Sequence, residues 1–432
     1  MIATLLFVAF LAMMLMGVPI GAALGLAGAA AIALANADSQ WFGLLAVPQN
    51  FYAGLGKYPL LAIPMFVLVG SIFDRSGVAL RLVNFAVAMV GRGPGMLPLV
   101  AIAVAMFLGG ISGSGPANAA AVGGVMIAAM SRAGYPPSFS ASVVGAAAAT
   151  DILIPPSVAF IIYSVLVPGA SVPALFAAGM IPGILAGFAL IVPAVWMARR
   201  HKMGHLEATM PRPPFWKSLR EALWGLAAPV LILGGMRAGW FTPTEAAVVA
   251  VFYGLFVGMV VHRTISVRDL FPILRESGEL SAVILLVVSL AGIFAYSLST
   301  LGVIDPVANA IVNSGLGEYG VLALLIVLLV TVGMFLDGIS IFLIFVPLLL
   351  PIMQHYQWDP VWFGVILTLK VALGQFTPPL AVNLMVSCRI AGVRMESTVR
   401  WVGWMLLAMF LVMVAVIAFP QLALWLPAKM GY

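Results

Sequence analysis

Apolar residues run along this chain in blocks too long and too uniform for the two- or 3.6-residue periodicity of a soluble fold. Ala174–Ala198, Ala246–Val261, Leu280–Leu298 and Trp401–Phe419 are nearly unbroken, and each approaches or exceeds the roughly 20 apolar residues that cross a hydrocarbon core as a helix. The pattern predicts an all-α polytopic membrane protein, with about ten crossing segments and two further hairpins. Ile2–Met16 starts without a basic stretch and leads through Gly17-Val18-Pro19 into another apolar run. It is therefore expected to be the first helix of the mature chain, not a cleaved signal.

The interruptions say more than the blocks. Pro155-Pro156 recurs as Pro378-Pro379 (378 − 155 = 223), and at the same spacing Pro137 recurs as Pro360, Ser114-Gly115 as Asp337-Gly338, Gly110 as Gly333 and Ser164 as Ser387. Five landmarks in one register imply two copies of one structural unit. Paired Gly/Pro interruptions at corresponding positions of two apolar halves point to a binding site between repeats.

Each copy has the same internal order. An apolar segment of about 35 residues comes first, residues 96–131 broken at Gly109–Pro116 and residues 319–354 broken at Gly333–Ser340. A crossing segment split by the double proline follows, residues 138–167 around Asp151–Ser157 and residues 361–392 around Gly374–Pro379. Adjacent prolines remove two backbone donors and push the preceding residues out of helical geometry, so carbonyls there lose their intrahelical partners. Within a membrane that is tolerated only where protein, water or an ion satisfies them.

Composition closes off the soluble classes: 63% of residues are hydrophobic and 8% charged, with a mean hydropathy of +1.17. A single cysteine, Cys388, excludes an internal disulfide and a cysteine-rich metal site and is expected to be a packing residue. The net charge of +6 sits in two places. Arg199, Arg200, Lys202, Arg212, Lys217 and Arg220 are predicted in one loop, and Arg263, Arg268 and Arg275 in another, both cytoplasmic by the positive-inside rule. Short loops between spans are not a folded basic domain, so no nucleic-acid partner is expected.

Counted from those loops, the segment flanked by Glu318 and Asp359 begins and ends outside, whereas the one flanked by Arg92 and Arg132 begins and ends inside. The two units are thus predicted to be inverted, and both broken segments to be re-entrant hairpins. The competing description, a pair of short core helices or one kinked helix, fits the charge flanks and the register less well. Trp41, Trp240, Trp358 and Trp401 lie near predicted span ends and are expected to be interfacial anchors. Gln40–Lys57 is too interrupted to span and is expected to lie along the membrane surface as a scaffold arm.

Hairpin tips expose helix N-terminal N–H groups, which favour an anion; unwound carbonyls with small hydroxyl or carboxylate side chains favour a hard cation. Substrate contacts are expected from Ser112, Gly113, Ser114, Asn118, Ser157, Ser340 and Asn383, and Na+ contacts from Ser112, Ser114, Asp151, Pro155, Asp337, Gly338, Thr377 and Pro378. The first half would set its hairpin against Asp151–Ser157, the second its own against Thr377 and Asn383. Asn118 and Ser340 equally suit local backbone satisfaction, and Asp151 suits a cap for a helix half starting at Pro155. Glu245 is expected to cap an outer turn, and Lys370 to pair with a carboxylate ahead of attracting an anionic substrate or snorkelling to an interface. Asp337 is harder to assign a bland role, because a carboxylate in an apolar stretch is costly unless paired or ion-bound. The histidines, His201, His205, His262 and His355, lie in or beside loops with no metal-binding or catalytic spacing, so no enzyme activity and no cofactor are expected. A continuous channel suits two symmetrical breaks less well than coupled alternating access.

Across essentially its whole length the chain resembles the large membrane subunit of the tripartite ATP-independent periplasmic (TRAP) transporters, the DctM-like family. The resemblance is carried by Ile111-Ser112-Gly113-Ser114-Gly115-Pro116-Ala117 with Ala120-Ala121-Val122-Gly123, by Ile152-Leu153-Ile154-Pro155-Pro156-Ser157 with Ile161-Ile162-Tyr163, and by Thr377-Pro378-Pro379 with Asn383-Leu384. Ala62-Ile63-Pro64-Met65-Phe66 followed by Gly70 is similar to the family's early helix. Asn118, Asp151 and Ala381 depart from the family pattern, where Thr, Gly and Gly are usual.

The resemblance implies an elevator-type, Na+-driven importer of the ion-transporter superfamily in a bacterial inner membrane. It further implies a small four-helix membrane subunit and a periplasmic binding protein that delivers an organic acid. The expected organisation is N-terminal scaffold helices and an interfacial arm at 1–58, a first core at 59–173, scaffold helices and basic loops at 174–277, a second core at 278–397 and a C-terminal scaffold helix at 398–432. A stand-alone Na+/anion symporter would share the inverted hairpins and differ in needing no binding protein.

Overall fold

The computed structural model describes all residues except Met1, Asn36–Trp41, Arg92, Phe335, Asp337 and Leu380, and leaves out the side chains of Ala3, Phe42 and Ser112. Trp41, Arg92 and Asp337, named above, therefore lie outside the described residues. Among the rest the chain is all helical. The first part contains α1 (Ile2–Leu15), α2 (Ile20–Ala35), α3 (Phe42–Leu55), α4 (Ala62–Arg75), α5 (Val78–Met89), α6 (Met96–Ser112) and α7 (Gly115–Arg132). The middle contains α8 (Pro137–Ala148), α9 (Val158–Leu166), α10 (Val172–Arg200), α11 (Phe215–Arg237), α12 (Pro243–Leu255) and α13 (Val267–Thr300). The last part contains α14 (Ile304–Val312), α15 (Gly317–Gly333), α16 (Gly338–His355), α17 (Pro360–Gly374), α18 (Val382–Ala391), α19 (Val399–Ala418) and α20 (Gln421–Met430).

The register seen in the sequence is a register of helices. α16 starts 223 residues after α7 (338 − 115) and α17 starts 223 after α8 (360 − 137). α6 pairs with α15 (317 − 96 = 221) and α9 with α18 (382 − 158 = 224) in the same order, each within two residues of that spacing. Local chemistry sets these boundaries. Pro137 and Pro360 open α8 and α17, where a missing N–H costs nothing, and Asp359 accepts the N–H groups of Val361 (2.8 Å) and Trp362 (3.0 Å) as the α17 cap. The Pro155–Pro156 and Pro378–Pro379 bonds are both cis.

Among the described residues, seven helices are long and apolar enough to cross a membrane, including α10, α11, α13 and the Met395–Ala418 stretch containing α19. Their outward faces carry exposed apolar side chains such as Phe188, Val192, Val230 and Phe252, the surface a bilayer would cover. α2 lies closely on α13 through the small-residue stripe Gly21, Gly25, Gly28; a methyl group on Gly28 would stand 3.0 Å from the Phe294 backbone.

Several expectations need correction. Lys217 and Arg220 lie in the first turns of α11, and Arg268 and Arg275 in those of α13, rather than in loops. The physical reason is length: at about 1.5 Å per residue, the 34 residues of α13 exceed what a bilayer core of about 30 Å needs, which leaves helix to spare for the charged first turns. Trp358 and Trp401 are buried inside the protein, Trp358 donating to Glu318 Oε1 at 2.8 Å and Trp401 packing on Phe139 and His201. Trp240 is 74% exposed, as an anchor requires. The C-terminal segment is two helices, because Pro420 ends α19 and starts the turn into α20. Phe42–Leu55 forms a helix against α13, with Gly54 set on Ser289. The Thr242/Glu245 capping box and the buried Cys388 are as expected.

Candidate functional site

The first hairpin turns at Gly113, which has φ 60°, a left-handed conformation natural to glycine. Its tip sits directly on the first broken helix. A methyl group on Gly110 would stand 3.2 Å from the Pro155 carbonyl oxygen, and one on Gly113 2.8 Å from that of Pro156. On Gly109 it would stand 2.9 Å from both Cα and Oδ1 of Asp151. Three glycines thus let two freed carbonyls and one buried carboxylate approach the hairpin backbone. Ser157 stabilises the break by donating from Oγ to the Ile152 carbonyl (2.6 Å) and is the N-cap residue of α9. Asp151 therefore does not cap this helix: α9 begins at Val158, and Asp151 is in the turn before the prolines.

The second half is assembled the same way. Gly333 at the end of α15 meets Gly374 at the end of α17 backbone to backbone: a methyl on Gly374 would stand 2.8 Å from the Gly333 carbonyl oxygen. Gly338, opening α16, fits against Val371. Thr377 donates from Oγ1 to the Leu373 carbonyl at 2.5 Å, and the Gln375 carbonyl, which Pro379 has no N–H to serve, accepts the Asn383 N–H at 3.0 Å.

The two halves exchange elements. α18, which leaves the second break, packs on α7 and α8 of the first half, and α9, which leaves the first break, packs on α16 of the second. Tyr163 on α9 meets the Phe342 ring at 6.0 Å and donates to the Pro360 carbonyl at 2.8 Å. Asn383 therefore lies against the first hairpin's tip: a methyl on Gly115 would stand 2.7 Å from its amide nitrogen. Its Nδ2 donates to Gln375 Oε1 (3.0 Å), and its buried Oδ1 has no hydrogen-bond partner among the described residues.

Both inner hairpin helices, α7 and α16, point their N-termini at one cavity of about 300 Å³. Gly113, Ser114, Gly115 and Pro116 line it from the first half, and Gly338, Ile339 and Gln375 from the second. The opposite wall is an apolar stripe on α13, Leu280, Val283, Ile284 and Val287. A volume near 300 Å³ lies at the small end of ligand sites.

Of the residues singled out in the sequence, Gly113, Ser114 and Gly338 line this cavity, and Asn383 is one hydrogen bond behind it through Gln375. Asp151, Pro155, Thr377 and Pro378 lie at the breaks that the tips cover. Asn118 is buried and donates to the Ala105 carbonyl at 2.8 Å, tying its hairpin together rather than facing the cavity. Ser340 is buried within α16, and the Ser112 side chain and all of Asp337 are outside the described residues. Gln375 and the α13 stripe were not anticipated. Gln375 stands beside a double proline and was legible as a polar residue at a break; the stripe resembles any lipid-facing surface. Lys370 is fully buried in α17, and the carboxylate pairing expected of it is not found among the described residues, where its Nζ has no hydrogen-bond partner.

Away from the cavity, the segment after α10 straps the mouth of the first hairpin. Glu207 Oε1 accepts the Leu97 N–H at the start of α6 (2.9 Å), and Oε2 accepts the Tyr135 hydroxyl (2.5 Å). Burial raises the Glu207 carboxyl above its ordinary value, partly opposed by those two hydrogen bonds and by Arg212. Arg212 donates to the Val90 and Gly91 carbonyls.

Residues 7–422 match the model of the tripartite ATP-independent periplasmic transporter, DctM component. The chain belongs to the DctM family. This DctM chain is 37% identical over 415 residues to the C4-dicarboxylate TRAP transporter large permease protein DctM of Pseudomonas aeruginosa, covering 94% of each. It is 36% identical over 392 residues to the isethionate TRAP transporter permease protein DctMQ of Oleidesulfovibrio alaskensis, covering 91% of this DctM chain and 61% of that one. The crystal structure of the Alcanivorax borkumensis YdaH transporter matches with a TM-score of 0.59 at 15% identity, over 89% of this chain and 91% of that one. At that identity the likeness is one of fold alone. Membership of the family makes this chain a membrane transport component, and the two repeats with their shared cavity are its candidate transport site.

Proposed function

We propose that this chain is the large permease of a Na+-driven importer of a small organic anion, delivered by a periplasmic binding protein and moved by an elevator-type displacement. The observation that carries the reading is that the N-termini of α7 and α16, from opposite repeats, border one cavity. Two helix N-termini supply N–H groups and positive dipole ends for an anion. Relatives named for a C4-dicarboxylate and for isethionate support an organic acid, carboxylate or sulfonate, as cargo.

Na+ would be held at each break, by the Pro155 and Pro156 carbonyls with Ser112, Ser114 and Asp151 in the first half, and by Thr377, Pro378, Gly338 and Asp337 in the second. Oxygen-rich sites of this kind suit a hard cation. Occupied, they would fix the tips in the arrangement that accepts the anion. The proposed moving unit comprises the two hairpins and broken helices, with α1–α3 and α11–α13 as scaffold in the inner membrane; the apolar α13 stripe offers them a surface without directional bonds to break. α10 and α19 pack on α6, α8 and α17, which supports counting them with the proposed moving unit. A small membrane subunit would sit on the scaffold, as the fused DctMQ relative suggests.

The test is the melting temperature of the purified chain in NaCl against KCl at equal ionic strength. Specific binding stabilises the fold by RT ln(1 + [L]/Kd), so Na+ is expected to raise the midpoint and K+ not. Equal midpoints in the two salts would remove the Na+ sites from the proposal.

A further inference from the structure

Two cavities adjoin on the outer surface of α10, at the end carrying the basic residues. The larger, about 750 Å³, is an apolar groove between α6 and α10 lined by Met96, Leu99, Ile191, Val192 and Val195 and ending at Arg199 and Arg200. The smaller, about 270 Å³, continues past Trp196 and Arg200 to His201, Arg400 and Trp404. Trp196 and Arg200 belong to both.

The three arginines are exposed and face no carboxylate: no Asp or Glu lines either cavity, and the ion pairs among the described residues are Arg75–Glu276 and Arg275–Glu279. Aromatic rings hold the cations in place instead. The Arg200 guanidinium lies 5.4 Å from the Trp196 ring centre, which packs on Trp404 at 5.1 Å, and Arg400 lies 4.9 Å from the Trp401 ring and 3.2 Å from His201 Nε2. The groove runs along α10 from Arg199 back to Ile191, eight residues or about 12 Å at 1.5 Å per residue. Val192 is 68% exposed and Trp196 41%. Concentrated positive charge at one end and an open apolar channel running into the membrane from it are complementary to one kind of molecule.

We propose that this surface holds one anionic diacyl phospholipid, its phosphate against Arg199, Arg200 and Arg400 and one acyl chain along the α6–α10 groove. A zwitterionic headgroup brings its own cation to a site that already has three. Basic residues near a membrane surface attract anionic lipid, and Arg adds bidentate geometry for the phosphate. The lipid would thus sit on the outer helix of the first hairpin, remote from the cavity at its tip.

Native mass spectrometry of the full chain with phosphatidylglycerol or phosphatidylcholine of the same acyl chains tests this. One phosphatidylglycerol is expected to be retained roughly tenfold more strongly than phosphatidylcholine, and the Arg199→Gln/Arg200→Gln/Arg400→Gln variant to lose that preference. Equal retention by the wild type, or undiminished preference in the variant, would overturn the proposal. A photoactivatable phosphatidylglycerol gives a second readout that needs no variant. Cross-links are expected on peptides containing Met96–Leu99 or Ile191–Trp196; cross-links confined to other helices, or to a copurifying protein seated on the groove, would refute it. Because neither measurement involves uptake, failure here leaves the transport reading untouched.

Discussion

Replacing Gly113 by alanine perturbs the contact on which the proposed first ion site depends. Two costs add. Residue 113 has φ 60°, where an L-residue costs about 1–2 kcal/mol. Its new methyl would also stand 2.8 Å from the Pro156 carbonyl oxygen, a backbone atom that cannot swing aside, and overpacking of this kind costs about 1–3 kcal/mol. Together the docked hairpin tip loses about 2–5 kcal/mol, a fall of roughly 25-fold or more in its population relative to an undocked tip at about 1.4 kcal/mol per decade. The control is Gly124→Ala in the same hairpin, where no atom lies within 4 Å of the added methyl and alanine in a helix interior is neutral or gains about 0.5–1 kcal/mol. Initial uptake rates in proteoliposomes, normalised to inserted protein, are expected to fall at least tenfold for Gly113→Ala and to stay at the wild-type level for Gly124→Ala. Wild-type uptake by a folded Gly113→Ala variant would refute the claim that the tip must close on the Pro155-Pro156 break.

Three further outcomes follow from the same contacts. Asn383→Leu removes the donor to Gln375 Oε1 and leaves that acceptor facing the first hairpin, so uptake is expected to fall roughly tenfold or more with a melting loss of about 1–3 kcal/mol; unchanged uptake would separate Asn383 from the site. Tyr135→Phe strands the Glu207 carboxylate and the Gly95 N–H, which now donates to the hydroxyl at 2.6 Å. Thermal unfolding should show a loss of about 1–3 kcal/mol, and an unshifted midpoint would mean the strap does not support the hairpin. Burial raises the Glu207 pKa above its ordinary 4.5, so the folded state binds this proton more tightly. Its contribution to stability is therefore fully present below that value and lost as pH rises through the raised pKa. Glu207→Gln is expected to flatten this part of the melting-temperature profile, and an identical profile would contradict it.

Much of this architecture was legible because proline and glycine act locally. The double prolines and the Gly/Ser tips mark where helices must stop, and their common spacing located α6–α9 and α15–α18 before any packing was known. What was not legible is which repeat each element serves. Asn383 was assigned to the second hairpin, yet α18 crosses to the first half and sets Asn383 beside Gly115. Spacing encodes correspondence between copies, not contacts between them. Tryptophan misled for a similar reason: Trp358 and Trp240 both stand near span ends, but only a neighbour distant in sequence, Glu318, draws Trp358 inside. Leu280, Val283, Ile284 and Val287 look like lipid-facing residues, and only the fold turns them toward the cavity.

The central claim is that an ion gradient moves an anion through this chain after a binding protein delivers it. Its most direct test is uptake of a labelled organic acid into proteoliposomes containing this chain and its small partner subunit, under an inward Na+ gradient, with and without the cognate binding protein. Uptake that requires both the gradient and the binding protein is the predicted result. Na+-driven uptake without any binding protein, or binding-protein-dependent uptake indifferent to Na+, would contradict it.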